Sequence, residues 1–430
     1  MAEETIGGSG PAAAGGGTAR PAAPAPASPE PAALAPAAVP TVAWLLTEGQ
    51  RQPTIPTLLE AFAAHLCGRG VPLERATLHV RLLHPQIRGM TYLWRADRPG
   101  VEALQRAHGV ESTPEFMGSP VFSIMEEGAE GVRYSLATLP QPFPFPILDE
   151  LRADGMTDYA AMPMVFSNGR RHAATFASRA AGGFGTEALT LLYDSLPALT
   201  ALVEARVLRL LATNLLNTYV GQEAGSRILN GDIRRGSGLT MQAVLWYCDL
   251  RGFTSLSDRL ALDRIIALLN GYFEIMGGAV QERGGEIVKF IGDAMLAVFA
   301  IPAGGGPEQV AAACAIALDA ARDAQAGMER LNAQRAAWGQ PRLGAGIALH
   351  HGDVMFGNIG APDRLDFTVI GPAVNLVTRL EGLTRALGRG LVTSADFARA
   401  CPQAGLASLG LHPVRGLDRP VELFGLAPAP

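Results

Sequence analysis

The sequence predicts an α+β fold class, realised in two units. Three observations carry this: strand-length apolar runs between residues 76 and 178, a second set beyond residue 241, and a helical stripe of apolar residues between them. With 430 residues, 48% hydrophobic, 17% charged and a net charge of −5, the chain has enough apolar residues for two or three folded domains. The mild acidity offers no general attraction to nucleic acid or anionic membranes, so neither is an expected partner. Four cysteines, Cys67, Cys248, Cys314 and Cys401, form no CxxC pair, and a reduced cytoplasmic setting fits them. Neither a membrane span nor a signal peptide is expected, because every long apolar run is interrupted and the start lacks a basic n-region.

Taken in order, residues 1–40 contain 28 Ala, Gly or Pro. Such a stretch buries too little to offset its ordering entropy, so a disordered tail is expected. Residues 41–185 read as an α+β domain with a helix over Ile55–Cys67. Its strands are expected at Ala76–Leu83, Met90–Arg95, Val132–Ala137, Ala160–Phe166 and His172–Ser178. The last two flank 167–170 (SNGR), where Asn-Gly supplies the positive φ of a tight hairpin. Trp94, Tyr134 and Tyr159 read as core. Strands followed by an exit helix suggest a sensor-like module for a small-molecule or protein signal, and the phrase Arg69–Pro85 resembles the opening of GAF domains. A packing or dimerisation domain without ligand is the competing reading.

A helix is expected from about Thr186 to Val220. Leu199, Val203, Val207, Leu210 and Leu215 place one apolar stripe along it, to be covered by its own domain or by a second copy. Residues 221–238, rich in Gly and Arg, complete a helix-and-linker segment spanning 186–238.

The chemistry is concentrated in residues 239–430. The strand run 244–249 (VLWYCD) ends in Asp249 and continues through Gly252, Phe253 and Thr254, whose backbone amides suit phosphate oxygens. Forty residues on, two short strands meet at Gly292-Asp293, which puts a second carboxylate on a hairpin tip. Two such aspartates on neighbouring strand ends suit divalent cations, hard ions that take oxygen ligands. Lys289 precedes that tip and is the only lysine among 35 basic residues. Arginine has replaced it wherever charge alone suffices, so a compact single-point donor is needed here. In 366–381 (DFTVIGPAVNLVTRLE) a strand gives way at Gly371 to a helix opened by Pro372, and Asn375 and Arg379 share one helical face. An amide and a guanidinium side by side suit a ribose and a phosphorane.

Together these phrases (YCDLRGFT, KFIGD, TVIGPAVNLVTR) resemble the class III nucleotidyl cyclases over roughly residues 241–427. The resemblance implies a ferredoxin-like α+β catalytic domain and a homodimer whose sites lie between two such domains. It implies that Asp249 and Asp293 bind two Mg²⁺ or Mn²⁺ ions, that Lys289 and Thr368 read adenine, that Asn375 orients the ribose and that Arg379 stabilises charge at the α-phosphate. Arg415 is the candidate contact to the terminal phosphates, with Arg419 second; His350 and His351 stay structural, and Asp353 cannot contact phosphate. The activity implied is an adenylate cyclase making 3′,5′-cyclic AMP and pyrophosphate from ATP. A guanylate cyclase, whose base-reading pair is typically Glu and Cys, is the alternative within enzymes. A catalytically silent nucleotide-binding or dimerisation module is the alternative outside them.

Overall fold

A computed structural model describes residues 34–82 and 87–427. Most of the expected Ala/Gly/Pro-rich tail lies outside those residues; its last two, Val39 and Pro40, open a helix over Val39–Trp44 behind the buried Ala38. Two antiparallel-rich sheets follow.

The first sheet comprises β1 (Arg75–Arg81), β2 (Ile87–Arg95), β3 (Val101–Ala107), β4 (Val132–Ser135), β5 (Asp158–Val165) and β6 (Arg171–Ser178). Their order is β3-β2-β1-β6-β5-β4, with every neighbouring pair antiparallel. The expected strands are present within a few residues, although the end of the first, at Leu83, lies outside the described residues. β3 was not expected, since its sequence VEALQRA does not alternate and only its first residue is partly covered. On one face Leu78, Val80, Tyr92 and Phe176 pack against the helix Ile55–Gly68 and the long helix Thr186–Val220. Short helices over 114–125 and 146–153 cover the other face around Leu148, Tyr159 and Ala177. Trp94 and Tyr159 are buried core residues and Tyr134 packs at the edge of the second cluster.

Of the two coverings open for the helical stripe, the chain supplies its own for Leu199, Val203 and Val207, which belong to the first core, with Leu210 packed against it. Leu208, on the outer side of the helix, and Leu215 and Tyr219 further along are exposed. Gly221, at φ +98°, breaks the helix as expected. The segment beyond is no bare linker: a second helix, Gln222–Leu229, seats Ala224 and Ile228 in the core of the C-terminal unit.

That unit holds β7 (Gly238–Arg251), β8 (Glu286–Ile291), β9 (Ala294–Ala300), β10 (Gly344–Ala361), β11 (Arg364–Ile370), β12 (Leu391–Ser394), β13 (Leu406–His412) and β14 (Val421–Leu426). The sheet order is β13-β14-β12-β10-β7-β9-β8, with β11 folded onto β10. β7, a helix over Leu262–Glu282, β8, β9, a helix over Pro307–Ala337 and β10 form a βαββαβ series, the ferredoxin-like plan the resemblance implies. β7 is central and apolar on both faces. Val244, Trp246 and Cys248 meet the first two helices, while Leu245 and Tyr247 face the helix Pro372–Ala386. Among the described residues no helix is long and apolar enough to cross a membrane.

Candidate active site

The two candidate metal aspartates meet because β7 and β9 are paired. Asp249 lies opposite Ala294, the residue that follows Asp293 out of the β8–β9 turn, where Gly292 takes φ +64°. The carboxyl of Asp249 is pushed up to about 7, first by burial, then by the charge of Asp293 and the hydrogen bond between the two, with Glu381 adding to the effect. Among the described residues neither aspartate has an ion-pair partner. Two adjoining carboxylates without a cation from the protein are the donor set that fits a hard divalent ion. Among the described residues no group of three or more His, Cys, Asp or Glu could hold a metal, so the two aspartates would share an ion with other oxygens, from backbone carbonyls, water or substrate.

Glu381 was passed over in the sequence. It lies on the inward face of the helix Pro372–Ala386 with Val377, Leu380 and Thr384, accepts a hydrogen bond from Thr384 Oγ1 (3.1 Å), and sits over Gly346, the β10 partner of Asp249. Burial raises its pKa, and Asp293 adds to the shift. The 377, 380, 381, 384 spacing was the available signal, since it places an acid among core positions.

Lys289 stands on β8 opposite Leu296, about two residues along the sheet from the aspartates. Its Nζ donates to Asp366 Oδ2 at 2.9 Å, so the hairpin of β10 and β11 folds back to touch β8. Both groups keep substantial exposure, 35% and 58%, so the pair is open to a ligand. This ammonium is partly exposed and paired, because β8 is the sheet's edge strand. Thr368, two residues beyond Asp366 on β11, is buried, and its hydroxyl has no hydrogen-bond partner.

Asn375 and Arg379 are exposed on the outer face of their helix, and among the described residues no ion pair joins Arg379 to either aspartate of the same chain. Arg379 instead lies over Gly416, where a Cβ would stand 3.3 Å from its guanidinium. The loop bearing Arg415 and Arg419 therefore shares a surface with Arg379. Gly252, at φ +75°, turns the chain out of β7 into a short helix over Phe253–Ser257 containing Phe253 and Thr254. His350 is buried with Nδ1 2.8 Å from Ser394 Oγ, which accounts for it structurally.

Residues 239–394 match the adenylate and guanylate cyclase catalytic domain. The C-terminal half thus carries a class III cyclase domain. Over 215 residues, 49% of this chain and 39% of its relative, the sequence is 37% identical to an adenylate cyclase of Anabaena cylindrica. Two solved structures are each 28% identical. The adenylyl cyclase CyaB from P. aeruginosa aligns over 45% of this chain and 97% of its own, at TM-score 0.41. The guanylyl cyclase Cya2 aligns over 44% and 95%, at TM-score 0.37. The chain spans under two-fifths of the length of the curated relatives it matches first, 39%, 36% and 37%.

Proposed function

We propose that the chain is an adenylate cyclase that converts ATP to 3′,5′-cyclic AMP and pyrophosphate as a homodimer. The observation that carries this reading is the carboxylate pair Asp249 and Asp293 at adjoining strand ends; Lys289 and the unpartnered hydroxyl of Thr368 read the base in the site completed by the other chain's aspartates. Asp249 and Asp293 would hold Mg²⁺ or Mn²⁺, which when bound would supply Lewis acidity toward the ribose 3′-hydroxyl and offset phosphate charge. The remaining roles belong to side chains. Lys289 donates to the unprotonated ring nitrogen of adenine, and Thr368 accepts from its exocyclic amine. Asn375 orients the ribose by hydrogen bonding, Arg379 meets the negative charge that grows at the α-phosphorus, and Arg415 contacts the terminal phosphates. The turn at Gly252, Phe253 and Thr254 offers amides to phosphate oxygens.

The exposure of Asn375 and Arg379 on the outer face of their helix supports composite sites. Apolar Phe290, Ile291, Ile370 and Leu411 are exposed on the same domain, as a surface that packs against a second copy requires. In this reading the N-terminal α+β domain receives a signal and the helix Thr186–Val220 transmits it. The four free cysteines support a reduced, cytoplasmic setting.

The test is turnover of ATP and of GTP by purified protein with Mg²⁺ or Mn²⁺, compared with Asp293→Ala. Cyclic AMP from ATP that disappears in the variant is the expected result. Cyclic GMP formed in excess over cyclic AMP would overturn the base assignment, and equal turnover by the variant would overturn the metal assignment.

A further inference from the structure

The first sheet has a polar face that no part of the cyclase reading uses. β1 alternates Arg75, Thr77, His79 and Arg81 against Ala76, Leu78 and Val80, and the apolar set goes to the core. The polar set does not go to water, because the short helices over 114–125 and 146–153 roof it. Between face and roof lies a cavity of about 440 Å³, a volume in the range of small-molecule sites.

Its floor is a run of hydroxyls tied to one histidine. Thr175 Oγ1 and Thr77 Oγ1 are 2.5 Å apart, Thr77 Oγ1 and His79 Nε2 3.0 Å, and His79 Nδ1 and Thr91 Oγ1 3.2 Å. Arg106 Nε donates to Thr91 Oγ1 at 3.3 Å, a neutral partner. Arg75 lines the same cavity, and among the described residues its guanidinium has no hydrogen bond or ion pair; its Nε is fully buried and unsatisfied. Most of the acids are already engaged or exposed: Glu126 pairs with Arg81, Glu111 faces Arg88 at 3.9 Å, Glu115 is exposed, and the exposed Glu150 and Asp154 act on Arg75 through their charge without forming an ion pair with it. Apolar walls come from Leu104, Phe116, Val121 and Ile147. A guanidinium withdrawn from water without an acceptor is costly unless an anion completes it.

We propose that this cavity is a binding site for a small amphipathic anion, whose carboxylate or phosphate pairs with Arg75 and Arg106 and whose apolar body fills the space beneath the roof helices. The site stands on the N-terminal domain alone, so it does not depend on the cyclase reading.

The test uses the full-length chain and two fluorescent probes of similar shape, the anion 1-anilinonaphthalene-8-sulfonate and the neutral N-phenyl-1-naphthylamine. The unmodified protein is expected to bind the anion at one saturable site per chain, roughly tenfold or more tighter than the neutral probe. Arg75→Gln should remove that preference while leaving neutral-probe binding unchanged, and Leu104→Trp should weaken both. Displacement of the bound sulfonate by octanoate or octyl phosphate, but not by octanol, tests the same point without any substitution. Whichever of the two competes better identifies the head group. Equal binding of both probes, displacement by octanol as effective as by the anions, or an unchanged preference in a folded Arg75→Gln protein would overturn the assignment.

Discussion

Gly416 offers a way to move Arg379 without altering it. The residue takes φ +75°, and a Cβ there would lie 3.3, 3.4 and 3.5 Å from Nη2, Nη1 and Cζ of Arg379. Gly416→Ala therefore has two effects. The left-handed backbone costs a non-glycine residue about 1–2 kcal/mol, and the new methyl pushes the guanidinium by a few tenths of an ångström. Gly388 provides the control, since it has φ +63° and nothing within 4 Å of its Cβ position. Gly388→Ala should carry the same backbone cost and leave Arg379 alone. If Arg379 acts on charge developing at the α-phosphorus, its displacement reduces kcat more than it raises KM. A misplacement of this size corresponds to roughly 3- to 30-fold in kcat. Thermal unfolding and steady-state kinetics on both variants make the comparison. Equal loss of stability with kcat lowered only in Gly416→Ala is expected. A kcat unchanged in both would refute the placement of Arg379 in the chemistry.

Base choice is tested by Lys289→Glu with Thr368→Cys, which should move the ratio of kcat/KM for ATP over GTP toward GTP by at least tenfold, read by product chromatography. Arg227 pairs with Asp232 and lies over the rings of Phe356 and Phe367 at 5.9 and 5.5 Å. Arg227→Ala should cost about 1–2 kcal/mol in denaturant unfolding by loosening the helix Gln222–Leu229 from the catalytic sheet. Acid should destabilise both units, because burial lowers His172 and His350 to about 4 from an ordinary 6.5. Their folded pKa values lie below the unfolded one, so the stability they contribute is complete above pH 6.5 and is lost as pH falls toward 4. That loss is up to about 3 kcal/mol for each buried ring, and His350→Gln should flatten the pH dependence of its transition.

The parts of the site legible in the sequence were those whose signals are local. Asp293 could be placed because Gly292 marks a two-residue turn between alternating strands. Asn375 and Arg379 could be put on one face because Pro372 starts their helix and fixes the phase. Lys289 stood out only by composition, and its partner Asp366 lay beyond reach, because the contact joins residues 77 apart through a folded-back hairpin. The burial of Glu381 over Gly346 and the approach of Gly416 to Arg379 depend on packing between elements distant in sequence. β3 was missed because its covering is slight and its residues do not alternate. The cavity of the first sheet was half visible, since the alternation of β1 is plain, but a polar strand face ordinarily meets solvent and nothing local announces the roof.

The central claim is that each site takes its carboxylates from one chain and Asn375 and Arg379 from the other. Mixing Asp293→Ala with Arg379→Ala chains, after subunit exchange is verified, tests it directly. Each variant alone should make almost no cyclic AMP, whereas a 1:1 mixture should recover about one quarter of the unmodified activity, because half of the dimers then hold one intact site of two. A mixture as inactive as its components would contradict the composite site.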